Sequence, residues 1–492
     1  MANILIVGGG VAGLSAGIYA QLAGHHATIY EKHTVAGGNL TGWQRGDYHI
    51  DNCIHWLTGT NPNTSTFKMW CELGVLGNVE IMQGDSLYTC ECDGKQISLY
   101  NDLEKIKTEM LEISPIDQVE TLKFINTIKL LQYLSGIGGE THSKKCGVLY
   151  FLKNVPTLLK YHKLSAGQLA KRFSHPLLKH FISCFVGDDF AALAIMLVFA
   201  YFTAENGGIP KGSSYAMAQR MINKFSSLGG KLMTGVTVTK INTEGTLAKY
   251  ADLSNGQTVD FDYAILTVDP TTAFEKILDY PMPRQLERFY KDKRLLRFSS
   301  YHCAFSCDTD NPGFKGDFII EIPTILREKL HSKYLILREF SHESDFAPPG
   351  KSIIQSLIFC NEQDCQGFIR LKQNSLAYDA LKKELSKLIQ ELITERFPNL
   401  TGKLKCIDVW TPATYKRYIG SEIGSYMGFA LPPRFVPTHA SHKIKGLDNV
   451  VLATQWQQAP GGLPIAASEG KGAISTINKA INARKRTVSM SN

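Results

Sequence analysis

The chain has 492 residues, 44% of them hydrophobic and 20% charged, with a formal net charge of +8. That length exceeds what one hydrophobic core fills, so two domains are expected. The composition is that of a soluble globular protein, not a disordered or fibrous one. No long basic run with interleaved aromatics occurs, so no nucleic-acid partner is expected. The cluster Arg484-Lys485-Arg486 reads as a solvated helix end, although a net positive surface also suits contact with an anionic membrane face.

In chain order, Ile4 to Val7 is an apolar, largely β-branched run that predicts a buried parallel strand. The opening residues show no basic region ahead of an apolar one, so no secretory signal is expected. Gly8-Gly9-Gly10-Val11-Ala12-Gly13 follows at once, and Leu14 to Leu22 continues at helical spacing. Ala27 to Tyr30 predicts a second strand, ending in Glu31. These are the parts of a dinucleotide-binding unit at their expected offsets. Gly8 permits the tight turn, Gly10 lets backbone approach a pyrophosphate, and Gly13 lets helix and strand pack closely. The free N–H groups of the helix start at Val11 and Ala12 face the phosphates. Glu31 accepts from ribose hydroxyls and repels a 2′-phosphate.

Lys32 leads into Thr34-Val35-Ala36-Gly37-Gly38-Asn39-Leu40-Thr41, and then Gly46-Asp47-Tyr48-His49-Ile50-Asp51-Asn52-Cys53-Ile54-His55-Trp56. Here the sequence resembles the FAD-dependent amine oxidase and phytoene desaturase superfamily, and in particular its carotenoid desaturases, carotenoid isomerases and retinol saturases. The resemblance implies that Lys32, Gly38 and Asn39 meet the cofactor, and that 46–56 runs along the flavin. Asn39 stands where the superfamily carries arginine, and Cys53 where it commonly carries glycine. His55 and Trp56 are the first candidates to face flavin or substrate. His55 is able to exchange a proton near neutral pH, and a histidine bonded within the fold is the competing reading.

Ile81 to Tyr100 predicts a hairpin turning at Asp93-Gly94, and Leu103 to His180 is mostly helical. The cluster Gly136-Ile137-Gly138-Gly139 follows a helical pattern, not a strand, and is set aside. Leu149 to Leu164 is basic and apolar. It reads either as a surface helix with a core face or as a monotopic entrance for a lipid-soluble substrate. Phe190 to Phe202 is the longest apolar run, too short to span a bilayer. It reads as a buried helix or as the wall of a greasy tunnel.

Glu205 to Ser213 predicts the start of another helix, closed by Leu228-Gly229-Gly230. Val236 to Ile241 and Val259 to Thr267 predict strands, and by resemblance the backbone of Val236 meets the adenine. Phe298 to Cys307, Tyr334 to Glu339 and Ile353 to Phe359 read as strands, and Ser375 to Phe397 as an amphipathic helix. The 11 cysteines show no metal-ligand pattern, so no metal site is expected and they read as reduced thiols in a cytosolic protein. Tyr426 lies in a stretch resembling the segment before the last FAD strand of carotenoid isomerases, where a tyrosine either lines the cavity or packs in the core.

Asn449 to Ala453 predicts the last strand, followed by Gln455 and by Gln458-Ala459-Pro460-Gly461-Gly462-Leu463-Pro464 before a helix from Ile465 to Ile481. This resembles the desaturase turn whose backbone amides meet the isoalloxazine edge. It implies cofactor contacts from Gln455, Gly462, Leu463 and Pro464.

The fold class expected is α/β: a discontinuous Rossmann-like FAD-binding domain (1–75, 205–270 and 440–492) with a second, mixed α+β substrate domain (76–204 and 271–439). The resemblance implies an FAD-dependent oxidoreductase acting on C–C or C=C bonds of a lipophilic polyene, retinoid or other lipid by desaturation, saturation or cis–trans isomerisation. The cysteine usage and the absence of a secretory pattern imply a cytoplasmic protein, with peripheral membrane contact open. A flavin amine oxidase is the second reading. The third is an FAD-free lipid or prenyl carrier of the GDP-dissociation-inhibitor type, against which the intact glycine fingerprint and Glu31 weigh. The sequence assigns no oligomeric state.

Overall fold

The computed structural model describes the backbone of residues 1–136 and 144–491, and their side chains except those of 144–151 and 486–491. Ile137, Gly138 and Gly139 of the discounted glycine cluster, and the side chains of Leu149 to Phe151 and Arg486, lie outside the described residues.

A five-stranded parallel sheet runs in the order Lys231–Thr234, His26–Glu31, Asn3–Val7, Tyr263–Leu266, Val450–Leu452. Asn3–Val7 sits at its centre with Ile4, Leu5, Ile6 and Val7 all buried, as a strand covered on both faces requires. The pleat divides them. Ile4 and Ile6 pack with Leu14, Ile18, Met221 and Ile474 from the helices Val11–Leu22, Ser213–Ser227 and Leu463–Ser491. Leu5 and Val7 face Ile241, Leu253 and Phe274 instead, beneath an antiparallel layer of Val238–Glu244, Leu247–Leu253 and Thr258–Asp260.

The second sheet has seven strands in the order Leu404–Trp410, Ser299–Cys307, Ser352–Cys360, Tyr334–Glu339, Asp317–Glu321, Ser86–Cys92, Lys95–Tyr100. Only the pairing of Asp317–Glu321 with Ser86–Cys92 is parallel. Leu335 and Leu337 pack with Leu385, Ile389 and Ile393 of the helix Ser375–Arg396. Ile336, on the opposite face, joins Phe124, Phe181 and Phe199 of the helical layer.

Several expectations change. Ile81–Met82 pairs with Gly207–Pro210, so the hairpin begins at Ser86; its turn residues Asp93 and Gly94 both have positive φ, the requirement of a two-residue hairpin loop. Gly207–Pro210 is therefore a strand, and the helix starts later, at Ser213. The run Val259 to Thr267 is two strands in two sheets, split where Asp262 leaves the antiparallel layer and its carboxylate accepts the Asn3 N–H at 2.7 Å. The strand expected from Val236 begins at Val238, and the last helix begins at Leu463. The strands Lys231–Thr234, Asp317–Glu321 and Leu404–Trp410 were not anticipated. The apolar run at 190–202 forms the helix Ala192–Phe202, and no helix of the described residues is long and apolar enough to cross a membrane. Cys90, Cys184, Cys303, Cys307, Cys360 and Cys365 are buried free thiols.

Candidate functional site

The central strand delivers the chain to Gly8, whose φ of 101° is accessible to glycine at little cost. Its N–H donates to Tyr30 O at 2.9 Å. The Gly9 N–H donates to Glu31 Oε2 at 2.8 Å, and the helix follows from Val11 with extended Gly10 as an N-cap that offers no side-chain acceptor. The N–H groups of the first turn have no intrahelical acceptors. They open on a cavity of about 1150 Å³ lined by Gly8, Gly10, Val11 and Ala12. Gly13 does not line it. An ideal Cβ there would stand 1.9 Å from Gly8 O, so Gly13 serves helix–strand packing.

Glu31 is buried and borders the cavity. Its Oε1 accepts the His33 N–H at 2.9 Å, so each carboxylate oxygen holds one backbone donor and keeps acceptor capacity for another. Lys32, whose ammonium burial shifts below the ordinary lysine range, donates to Arg417 O at 3.1 Å. Gly38 stands against Gly10. Asn39 donates through Nδ2 to Tyr426 O at 2.7 Å and accepts at its backbone O from Asn52 Nδ2 at 3.0 Å. At the position where arginine was expected, a short amide ties three segments of the cavity wall together. Val236 sits just behind the wall, its N–H donating to Glu31 O at 3.1 Å. Thr237, Val238 and Thr239 line the cavity instead.

At the other end of the sheet Gln455, Gly462, Leu463 and Pro464 all border the cavity. Gln455 Oε1 accepts the Gly462 N–H at 3.1 Å, which holds the turn that aims the start of the helix Leu463–Ser491. Two helix N-termini thus meet one cavity. Beyond them an apolar arm is walled by Phe185, Phe190, Leu197, Val198, Ile336 and Phe359. The apolar run read either as a buried helix or as a tunnel wall is both. Ile195, Met196 and Phe199 are buried in the core, while Ala194, Leu197, Val198 and Tyr201 face the arm.

His55 and Trp56 stand between the two regions. His55 is 18% exposed, and its Nδ1 lies 2.8 Å from Oδ2 of Asp317, which is 4% exposed. Arg338 reaches the other carboxylate oxygen at 3.5 Å and donates to His55 O at 3.4 Å. A histidine whose Nδ1–H is held by a carboxylate presents Nε2 as its exchangeable position. Trp56 lies on Gly207, where a Cβ would come within 2.2 Å of its ring. Tyr426 lines the cavity with its hydroxyl already spent, donating to Cys53 O at 2.9 Å. Burial pushes both that phenol and the Cys53 thiol up, the thiol to about 12, so neither ionises near neutrality.

Sequence reasoning had no means to find Asp317 and Arg338, because nothing local marks a strand 262 residues away as the partner of His55. The His33–Tyr418 stack at 4.1 Å, beside the dinucleotide end, was equally invisible.

Residues 6–73 match the family described as NAD(P)-binding Rossmann-like domain. Over 471 residues the chain is 23% identical to prolycopene isomerase 1, chloroplastic, of an Oncidium hybrid cultivar, covering 88% of this chain and 76% of that one. It is 22% identical to 4,4′-diaponeurosporene oxygenase of Staphylococcus haemolyticus, covering 97% of both. Among solved structures, an oxidoreductase from Methanosarcina mazei superposes with a TM-score of 0.62 at 15% identity, over 97% of this chain and all of that one. The chain thus carries a Rossmann-like unit at residues 6–73 and is similar along most of its length to a prolycopene isomerase and a diaponeurosporene oxygenase.

Proposed function

We propose that this protein is an FAD-dependent oxidoreductase acting on C–C or C=C bonds of a lipophilic polyene. The observation that carries the reading is the continuity of one cavity, from a dinucleotide cradle at Gly8–Ala12 to the apolar arm along Leu197 and Val198. Its volume exceeds the roughly 300–1,000 Å³ of an ordinary small-ligand site, leaving room for a second molecule beside the cofactor.

The residues fit FAD. An ideal Cβ on Gly10 would find no atom nearer than Gly38 Cα at 3.9 Å, so the backbone there is open to a pyrophosphate. Glu31 keeps acceptor capacity toward a ribose. The first turn of Leu463–Ser491 offers a positive helix end to the electron-rich edge of a flavin. When bound, FAD supplies hydride removal from carbon or its return. The chain's own contributions are orientation and exclusion of water by the apolar arm, and a proton held or accepted at His55 Nε2. Glu31 and Asp269 are the carboxylates that line the cavity among the described residues, so the arm itself carries no anion to recognise a cationic amine.

In this reading residues 1–75, 205–270 and 440–492 form the FAD domain and 76–204 with 271–439 the substrate domain. In support, every strand of the parallel sheet falls in the first set and every strand of the seven-stranded sheet in the second. The helix Lys144–His162 exposes Leu152 and Leu159 beside Lys153 and Lys160, the pattern of a monotopic contact. Co-sedimentation with vesicles containing anionic lipid tests that contact, and Leu152→Glu/Leu159→Glu is expected to abolish it; equal binding of both proteins contradicts it.

Anaerobic incubation with acyclic polyene isomers, with flavin oxidised and then reduced, and chromatography of the products tests the chemistry. Desaturated, saturated or isomerised polyene is expected. Turnover of primary amines with no change in any polyene would overturn the assignment.

A further inference from the structure

Outside the residues that line the cavity, three side chains converge at the helix Leu463–Ser491: His439, His442 and Glu469. Each offers one ligand atom, and the three atoms lie within 4.8 Å of one another. His439 Nε2 is 2.9 Å from Glu469 Oε2, and His442 Nε2 is 3.6 Å from the same oxygen. Metal–ligand bonds of about 2.0–2.2 Å arranged tetrahedrally set ligand atoms about 3.3 Å apart, a spacing these distances bracket.

The protonation pattern points the same way. His442 Nδ1 lies 2.8 Å from Leu452 O and 3.3 Å from Gln457 Nε2. The shorter contact is to a carbonyl, which only accepts, and Gln457 Nε2 is already donating to Ala440 O at 3.0 Å, so Nδ1 carries the proton. The Nε2 of neutral His442 then aims a lone pair at a carboxylate oxygen. Two acceptors face each other, an arrangement that a shared cation resolves. A carbonyl-anchored Nδ1–H is also the usual outer partner of a metal-bound histidine.

The surroundings are built for this approach. The Glu469 side chain is 3% exposed. Gly472 lies where a Cβ would stand 2.4 Å from His442 Nε2, so the helix makes room for the ring. Gln457 fixes the loop from both directions, accepting the Ala440 N–H at 2.7 Å and donating through Nε2 to Ala440 O at 3.0 Å. The His439 side chain is 41% exposed, which leaves a fourth position for water.

We propose that His439, His442 and Glu469 form a binding site for a divalent transition metal of the zinc class, joining the 439–442 loop to the helix whose first turn lines the cavity. Two imidazoles and one carboxylate are a donor set that suits zinc and not magnesium. Binding displaces the proton from His439 Nε2, which then carries its hydrogen on the outward Nδ1. The site is independent of the reading of the cavity.

The test is calorimetric titration of the chelator-stripped full-length protein with zinc chloride, alongside its melting midpoint. One zinc per chain is expected, with a raised midpoint. Glu469→Gln and the partly exposed His439→Ala are expected to weaken zinc at least about 100-fold, beyond the 10–100-fold typical of losing an outer partner. His26→Ala, an exposed histidine elsewhere, is expected to bind like wild type, and magnesium not to bind. Equal zinc affinity in all four proteins, or none in the wild type, overturns the proposal. Because His439→Ala opens no core, an unfolded Glu469→Gln would not obscure the result.

Discussion

The Nδ1 of His55 stands 2.8 Å from Oδ2 of Asp317, a residue 262 positions away in the chain. The contact bridges the two layers that wall the cavity. It gives a histidine beside the apolar arm a fixed tautomer, and the carboxylate that fixes it is itself held by Arg338. If His55 exchanges a proton at Nε2, then Asp317 acts through it as a positioning residue. Asp317→Asn is expected to lower kcat by roughly 10–100-fold, less than the roughly 10²–10⁴-fold that losing the acid–base group itself costs, while KM and flavin content stay near wild type. Asp317→Glu should recover part of the loss. A parallel fall in flavin content and melting midpoint would show that the pair is merely structural.

Two glycines of one motif should fail in different ways. Gly10 faces open cavity, whereas Gly13 abuts Gly8 O. Gly10→Val is expected to lose flavin while the apoprotein melts normally. Gly13→Ala is expected to destabilise the fold itself by about 3 kcal/mol, as overpacking does. Flavin absorbance per chain and thermal melts of both variants separate the two roles. Equal effects on both readouts contradict this division.

Leu197 faces the arm from a helix whose opposite side is core. Leu197→Asp places a charge where an apolar substrate should lie. Polyene turnover is expected to fall more than about 10-fold, since even one methylene in such a pocket is worth 10–200-fold. Flavin content should hold. Unchanged steady-state turnover would remove the arm from the reaction.

His302 is buried, stacked on Trp410 at 4.5 Å, with Nε2 2.7 Å from Ser300 Oγ. Burial, with His55 nearby, holds its imidazole well below the usual histidine range. For a base depressed in the folded state, the unfolded chain binds the extra proton, so stability is full above the unfolded value near 6.5 and is lost as pH falls below it. Unfolding near pH 6 should therefore take up about one proton less in His302→Gln than in wild type. Denaturant midpoints measured from pH 7.5 to 5 give the slopes, and identical slopes would contradict this.

What the sequence revealed depended on whether the signal was local. The unit from Ile4 to Glu31 was legible because strand, turn and helix follow without interruption, and each glycine answers a demand of its own neighbours. The turn Gly461-Gly462-Leu463-Pro464 was legible for the same reason. The strand Asp317–Glu321 was not, because it lies between two loops and finds its parallel partner, Ser86–Cys92, more than two hundred residues earlier. Lys231–Thr234 was missed because it is an edge strand with no buried residue and lacks the apolar density of the centre. For Tyr426 the sequence leaves cavity and core both open, and only the structure shows it at the cavity with its hydroxyl committed to Cys53 O. The two histidines and the carboxylate of the proposed metal site are separated by a strand and a turn, so no motif announced them.

The central claim, one FAD held in the cradle at Gly8–Ala12, is tested most directly by the visible spectrum of the purified protein before and after dithionite under argon. The expected result is a pair of flavin bands that bleach on reduction, with about one FAD per chain released on heating. A colourless protein that cannot be reconstituted with FAD would contradict it, and would favour a carrier of lipophilic molecules built on the same fold.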